Sequence, residues 1–123
     1  MKKEYIRFTR HGDERGQLIA LEEGKEVPFP IKRIYYIFDT SKGVRRGFHA
    51  HKELKQVLFC VNGSCKIHLD NGRETEEIVL DSPDKGLVLM DSLIWREMYD
   101  FSEGAVLMVL ASELYDEKDY IRN

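Results

Sequence analysis

The residues best suited to chemistry are packed between Gly43 and Gln56, in the run Gly-Val-Arg-Arg-Gly-Phe-His-Ala-His-Lys-Glu-Leu-Lys-Gln. Side chains two apart on an extended strand project from one face, so His49 and His51 stand side by side while Phe48 and Ala50 take the other face. Paired imidazoles can move protons, because histidine is the side chain whose unperturbed pKa lies near neutrality. They can also hold a divalent metal, provided further ligands complete the shell. Only a neutral amide, Gln56, follows in this run, and the other histidines, His11 and His68, fall in a loop and on the opposite face of their strand. Two imidazoles and an amide make a weak metal site. The expectation is therefore a metal-free pocket that works by proton transfer and needs no cofactor.

Such a pair must be carried by a rigid frame, and the frame is legible as strands. Helical periodicity is nearly absent. Short β-branched and aromatic segments recur instead at 5–9, 17–21, 31–38, 56–61, 65–70, 76–80, 86–90, 94–99 and 105–112, separated by Gly, Asn, Asp and Ser. Strands at this spacing predict an all-β sandwich or barrel. Asn62-Gly63 and Asp70-Asn71-Gly72 favour turns with positive φ. A two-residue turn at Asn62-Gly63 would pair Cys60 with Cys65 and put Gln56, Leu58, Cys60, Cys65, Ile67 and Leu69 on one inward face. The opposite face would then carry Val57, Phe59, Val61, Lys66 and His68, an exposed apolar row suited to a subunit interface. The polar tail from 113 to 123 reads as a solvated face, either one helical turn or an extended segment.

Composition removes several classes of function. At 123 residues the chain is one domain, 1–123, and 19 Lys+Arg against 22 Asp+Glu give a net charge of −3, which argues against nucleic-acid binding. The longest apolar run, 105–111, is far short of a membrane span, and the first residues lack the apolar core of a signal peptide. With only Cys60 and Cys65, both expected as buried reduced thiols, the chain reads as cytoplasmic.

From Gly43 to Gly63 the spacing Gly-x5-His-x-His-x4-Gln-x6-Gly resembles the first motif of the cupin superfamily, with Gln56 where metal-binding cupins usually carry Glu. Aligned from Gly86, the second motif has Ser92, Ile94 and Glu97 in place of its Pro, Gly and His. More specifically, Asp13-Glu-Arg-Gly16, Arg33-Ile-Tyr-Tyr36, the Arg46–Lys52 run, Trp95–Phe101 and Asp119-Tyr-Ile-Arg122 together resemble the cupin-type dTDP-4-dehydro-6-deoxyglucose 3,4-ketoisomerases over nearly the whole chain. The resemblance implies a cupin double-stranded β-helix, or jelly roll, forming a homodimer with N-terminal strands exchanged between subunits. It also implies a metal-free enzyme that makes a 3-keto sugar for a later aminotransferase.

Transferred to this sequence, the resemblance makes His49 the base, with His51 orienting it or stabilising the enediolate, and Tyr35 the relay for hydroxyl protons. Tyr36 faces the other way. Arginine forks suit a diphosphate. Arg15, Arg33, Arg46 and Arg96, with Lys52 and Gln56, are therefore expected to bind the dTDP-linked 4-keto-6-deoxy sugar, and Arg15 and Arg96 to control the configuration at carbon 4. Trp95, Met98, Tyr99 and Phe101 read as core rather than a thymine platform. Two rivals are a dTDP-4-keto-6-deoxyglucose 3,5-epimerase, which shares the Asp-x-Arg-Gly and Arg-Gly-x-His segments, and a non-catalytic sugar-binding cupin.

Overall fold

The computed structural model describes residues 3–122. The strands are β1 (Lys3–Arg7), β2 (His11–Asp13), β3 (Gly16–Leu18), β4 (Arg33–Ile37), β5 (Arg46–His51), β6 (Gln56–Asn62), β7 (Cys65–Asp70), β8 (Thr75–Leu80), β9 (Lys85–Leu89), β10 (Trp95–Tyr99), β11 (Val106–Ala111) and β12 (Tyr120–Ile121), with a 3-10 turn at Glu117–Asp119. Two five-stranded antiparallel sheets, ordered β1-β9-β6-β11-β4 and β12-β5-β10-β7-β8, form the jelly roll, and β2-β3 is a separate hairpin. Among the described residues, no helix is long and apolar enough to cross a membrane.

Alternation along the strands builds the core. Leu58 and Cys60 of β6, Leu87 and Leu89 of β9, and Leu107 and Val109 of β11 face Cys65, Ile67 and Leu69 of β7, Ile78 and Leu80 of β8, and Met98 of β10. The expected inward face is borne out, because Gln56, Leu58, Cys60, Cys65, Ile67 and Leu69 are all buried. The hairpin that was to produce it is not. β6 is flanked on both sides by β9 and β11, so no edge is left for β7, and the chain instead crosses from one sheet to the other at Asn62-Gly63, with Gly63 at φ 70°. Cys60 and Cys65 are free thiols whose sulfurs lie 3.5 Å apart across the sandwich.

That crossing also splits the expected outer face in two. Lys66 and His68 belong to the outside of one sheet and Val57 and Phe59 to the outside of the other. Val57 and Phe59 are buried, correcting the expectation of an exposed row: Val27, Phe29, Ile19, Leu21 and Ile31 of the long connection before β4 lie over them, with Phe8 meeting Phe59 edge-on at 5.6 Å. Burying such side chains stabilises by roughly 1.5–3 kcal/mol each, which the same chain can supply without a partner. Only Val61 of that row stays exposed. The expected strand at 17–21 is accordingly shortened to β3, since residues 19–31 serve as cover.

Candidate active site

The site forms where β4, β5 and β10 meet the C-terminal segment. A cavity of about 440 Å³ is lined by Arg33, Tyr35, Arg46, Gly47, His49, Met98, Tyr115, Tyr120 and Arg122, with Tyr36 and Ile37 alongside. Strand alternation sends His49 and His51 inward together, with ring centroids 4.7 Å apart, while Phe48 turns to the far side of the sheet and packs on Trp95. Tyr35 points inward and Tyr36 outward, as expected of neighbours on one strand.

Each histidine has one nitrogen committed. His49 Nδ1 donates to the Gly47 carbonyl at 3.0 Å, so its lone pair is on Nε2. His51 Nδ1 donates to Asp119 Oδ2 at 3.0 Å, and His51 Nε2 is buried without a hydrogen-bond partner. Burial lowers the pKa of His49, helped by the positive charges of Arg96 and Arg122 and opposed by its bond to Gly47. His51 is pushed down to about 3 by burial and by Arg96 and His49, against the opposing pull of Asp119. Both rings are neutral at pH 7, the state in which an imidazole acts as a base.

Behind the cavity, a polar chain runs through the core. Arg96 donates to Gln56 Oε1 and, through Nη2, to the Ile94 carbonyl at 2.9 Å, and Gln56 Nε2 donates to the Tyr35 hydroxyl at 3.0 Å. Burial brings the Arg96 guanidinium down to about 10, still well above neutrality, so a cation sits fixed behind both histidines. Burial likewise raises the Tyr35 phenol above its ordinary value, keeping it protonated at neutral pH.

Of the residues expected from the sequence, His49, Tyr35, Arg33 and Arg46 line the cavity, and His51 is buried against two of its rings. Gln56 and Arg96 are buried too deeply for direct contact with a ligand and instead support Tyr35. The signal for Arg96 was available: it lies two residues before Met98, and the two share the inward phase of β10. Lys52 is exposed on the turn after β5, where its backbone rather than its ammonium is engaged. Arg15 is at the tip of the β2-β3 hairpin, paired with Asp13 at 2.6 Å and away from this cavity.

The tail is not the solvated face expected of its polar composition. Tyr115, Tyr120 and Arg122 form one wall of the cavity, and Asp119 reaches His51. Arg33 lies over the rings of Tyr35 and Tyr115 at 5.2 and 5.7 Å, and Arg122 over Tyr120 at 4.6 Å. The clue was the alternation of aromatic and basic residues within an otherwise polar segment, since amphipathic rings of this kind seldom remain wholly solvated.

The chain is similar in sequence and fold to known proteins. The chain is 56% identical over 122 residues, 99% of its length and 87% of the relative's, to the TDP-4-oxo-6-deoxy-alpha-D-glucose-3,4-oxoisomerase of Aneurinibacillus thermoaerophilus. A 3,4-ketoisomerase from Helicobacter canadensis superposes with a TM-score of 0.96 at 52% identity, covering 100% of this chain and 92% of that one. A histidine-to-asparagine variant of the 3,4-ketoisomerase QdtA from Thermoanaerobacterium thermosaccharolyticum, solved with TDP-4-keto-6-deoxyglucose, gives 0.94 at 50% identity over 98% and 87% of the two chains. The family described as FdtA, WxcM-like, C-terminal matches residues 1–123, and it is to this family that the chain belongs.

Proposed function

We infer that the protein is an isomerase, a 3,4-ketoisomerase that converts dTDP-4-keto-6-deoxy-D-glucose to the corresponding 3-keto sugar through an enediol. The observation that carries the reading is the neutral His49, with its lone pair on Nε2, lining the same cavity as Tyr35 and three guanidinium groups. Relatives of this sequence and shape are named for that activity.

In the mechanism, His49 Nε2 takes the proton from carbon 3, and the electrons of that bond form the carbon 3–carbon 4 double bond while the carbonyl electrons move onto oxygen 4. Arg96 stabilises the charge developing there from behind. Tyr35 passes the hydroxyl proton of oxygen 3 towards oxygen 4, a transfer that a phenol suits because one atom both donates and accepts. The imidazolium of His49 then returns its proton to carbon 4 as the carbonyl forms at carbon 3. Arg33, Arg46 and Arg122 hold the diphosphate, since guanidinium forks match its oxygens. No step requires a metal.

The same reading includes a single-domain subunit in a cytoplasmic homodimer with exchanged N-terminal strands. Supporting it are the β2-β3 hairpin, whose six residues are all exposed, and an apolar row along edge strand β4 and the residue after it, where Ile34, Tyr36 and Phe38 are 57%, 57% and 56% exposed. Arg15 at the hairpin tip would then reach a partner's site.

The deciding experiment is NMR of the 4-keto sugar incubated with the protein in D2O. A ketoisomerase yields the 3-keto sugar with deuterium at carbon 4, and returns 4-keto sugar with deuterium at carbon 3 through the reverse reaction. Label at carbons 3 and 5 with the keto group unmoved would instead identify an epimerase, and an unchanged spectrum a binding protein.

A further inference from the structure

Asp119 sits at a junction that the isomerase mechanism leaves unused. Its Oδ1 accepts the backbone N–H of Lys52 at 3.0 Å and of Glu53 at 2.7 Å, and its carbonyl also accepts from Lys52 N–H at 3.1 Å. Its Oδ2 accepts from His51 Nδ1. The next two residues pair with β5, Tyr120 opposite His51 and Ile121 opposite Ala50, which brings the Tyr120 ring to 4.4 Å from His51 and 5.0 Å from His49. One carboxylate thus fastens the C-terminal segment across the strand that carries both histidines.

We propose that Asp119 is a positioning residue for the isomerisation, holding His51 as the tautomer whose Nε2 is a proton acceptor and, with its other oxygen, latching the wall formed by Tyr115, Tyr120 and Arg122. The first effect follows from valence. An ionised carboxylate only accepts, so the hydrogen of a neutral His51 must be on Nδ1 and its lone pair on Nε2. The hydroxyl proton that Tyr35 relays needs such an acceptor on its way, because oxygen 3 must release it before oxygen 4 takes it up. Without Asp119, the ring would be free to carry its hydrogen on Nε2 and would present a donor where an acceptor is required. The second effect follows from the four contacts that Asp119 makes to one turn and one ring.

This inference rests on the isomerase reading, but its first test does not. Ring-nitrogen NMR of the ligand-free protein distinguishes a protonated from an unprotonated imidazole nitrogen. In the unaltered protein, His51 should show a protonated Nδ1 and a bare Nε2. In Asp119→Asn, the backbone N–H groups of Lys52 and Glu53 keep the amide oxygen, so the amide N–H faces Nδ1 and the pattern should reverse. With the latch retained, KM should stay within about twofold while kcat falls roughly 100-fold, the ordinary scale of an acid–base contribution. Asp119→Ala, which also releases the latch, should in addition raise KM. A hydrogen already on Nε2 in the unaltered protein would overturn the assignment even if neither variant folds. So would a reversed pattern in Asp119→Asn with kcat within twofold of normal. Failure of the isomerase reading is distinguishable, because it would show as no turnover by the unaltered protein whatever the tautomer.

Discussion

His49 and Arg46 line one cavity, yet their loss should be felt differently. His49→Asn removes the carbon base and should lower turnover by two or more orders of magnitude while leaving dTDP affinity nearly intact. Arg46→Ala removes a charge-assisted contact and should weaken dTDP binding by roughly 1.5–3 kcal/mol, about 10- to 150-fold. Tyr35→Phe should follow His49→Asn, more mildly, and calorimetry with NMR turnover on the three variants makes the comparison. The pH profile follows from the same group. A base works in its neutral form, present above its pKa, and the pKa of His49 is lowered by burial and by Arg96 and Arg122. Activity should therefore persist as pH falls through the ordinary histidine value of about 6.5 and be lost only below it. A kcat/KM profile breaking above 6.5 would contradict this. At this scale the sequence was informative wherever alternation alone decided direction, as for His49, His51 and Tyr35. It was misleading for Lys52, because nearness in sequence to the histidines does not fix where an ammonium points, and for Arg96, whose charge outweighed the inward phase it shares with Met98.

The strand that presents the histidines depends on Gly47. Its φ of 94° is left-handed, and an added Cβ would lie 2.7 Å from the Arg96 carbonyl oxygen, beside the register shift where β10 meets β5. Gly47→Ala should destabilise the fold by about 1–3 kcal/mol, measurable by denaturant titration. It should also lower turnover, since the Gly47 carbonyl fixes the His49 tautomer. The elements themselves were largely legible from β-branched periodicity and turn residues. Their connections were less so. Asn62-Gly63 looks the same in sequence whether the chain folds back within a sheet or crosses to another, and only the occupation of both sides of β6 by β9 and β11 excludes the first. β12 escaped notice because two residues carry no periodicity, and its partner β5 lies some 70 residues earlier.

For the whole molecule, a homodimer calls for a different interface from the one expected. With Val57 and Phe59 covered internally, an exposed apolar row remains at Ile34 and Tyr36 of β4 and at Phe38 just after it, along the unpaired flank of the sheet. Light scattering at micromolar concentration should give twice the monomer mass, and Tyr36→Lys together with Phe38→Lys should shift it towards monomer. A monomeric parent protein would contradict the dimer. Activity undiminished after chelation would agree with two imidazoles and an amide being too poor a ligand set, and activity lost to chelation and restored by iron, manganese or zinc would overturn it.

The order of strands in the two sheets also governs how the protein comes into being. β1 waits for β9, β4 for β11 and β5 for both β10 and β12; among the described residues, only β2-β3 and β7-β8 join neighbours in the chain. Closing such distant pairs costs loop entropy before any contact repays it, which slows folding. During synthesis, the first half of the chain therefore leaves the ribosome with most of its strands unpaired, and the histidines meet Asp119 and Tyr120 only once the last of the described residues has emerged. Catalytic competence is thus among the final properties the nascent chain acquires.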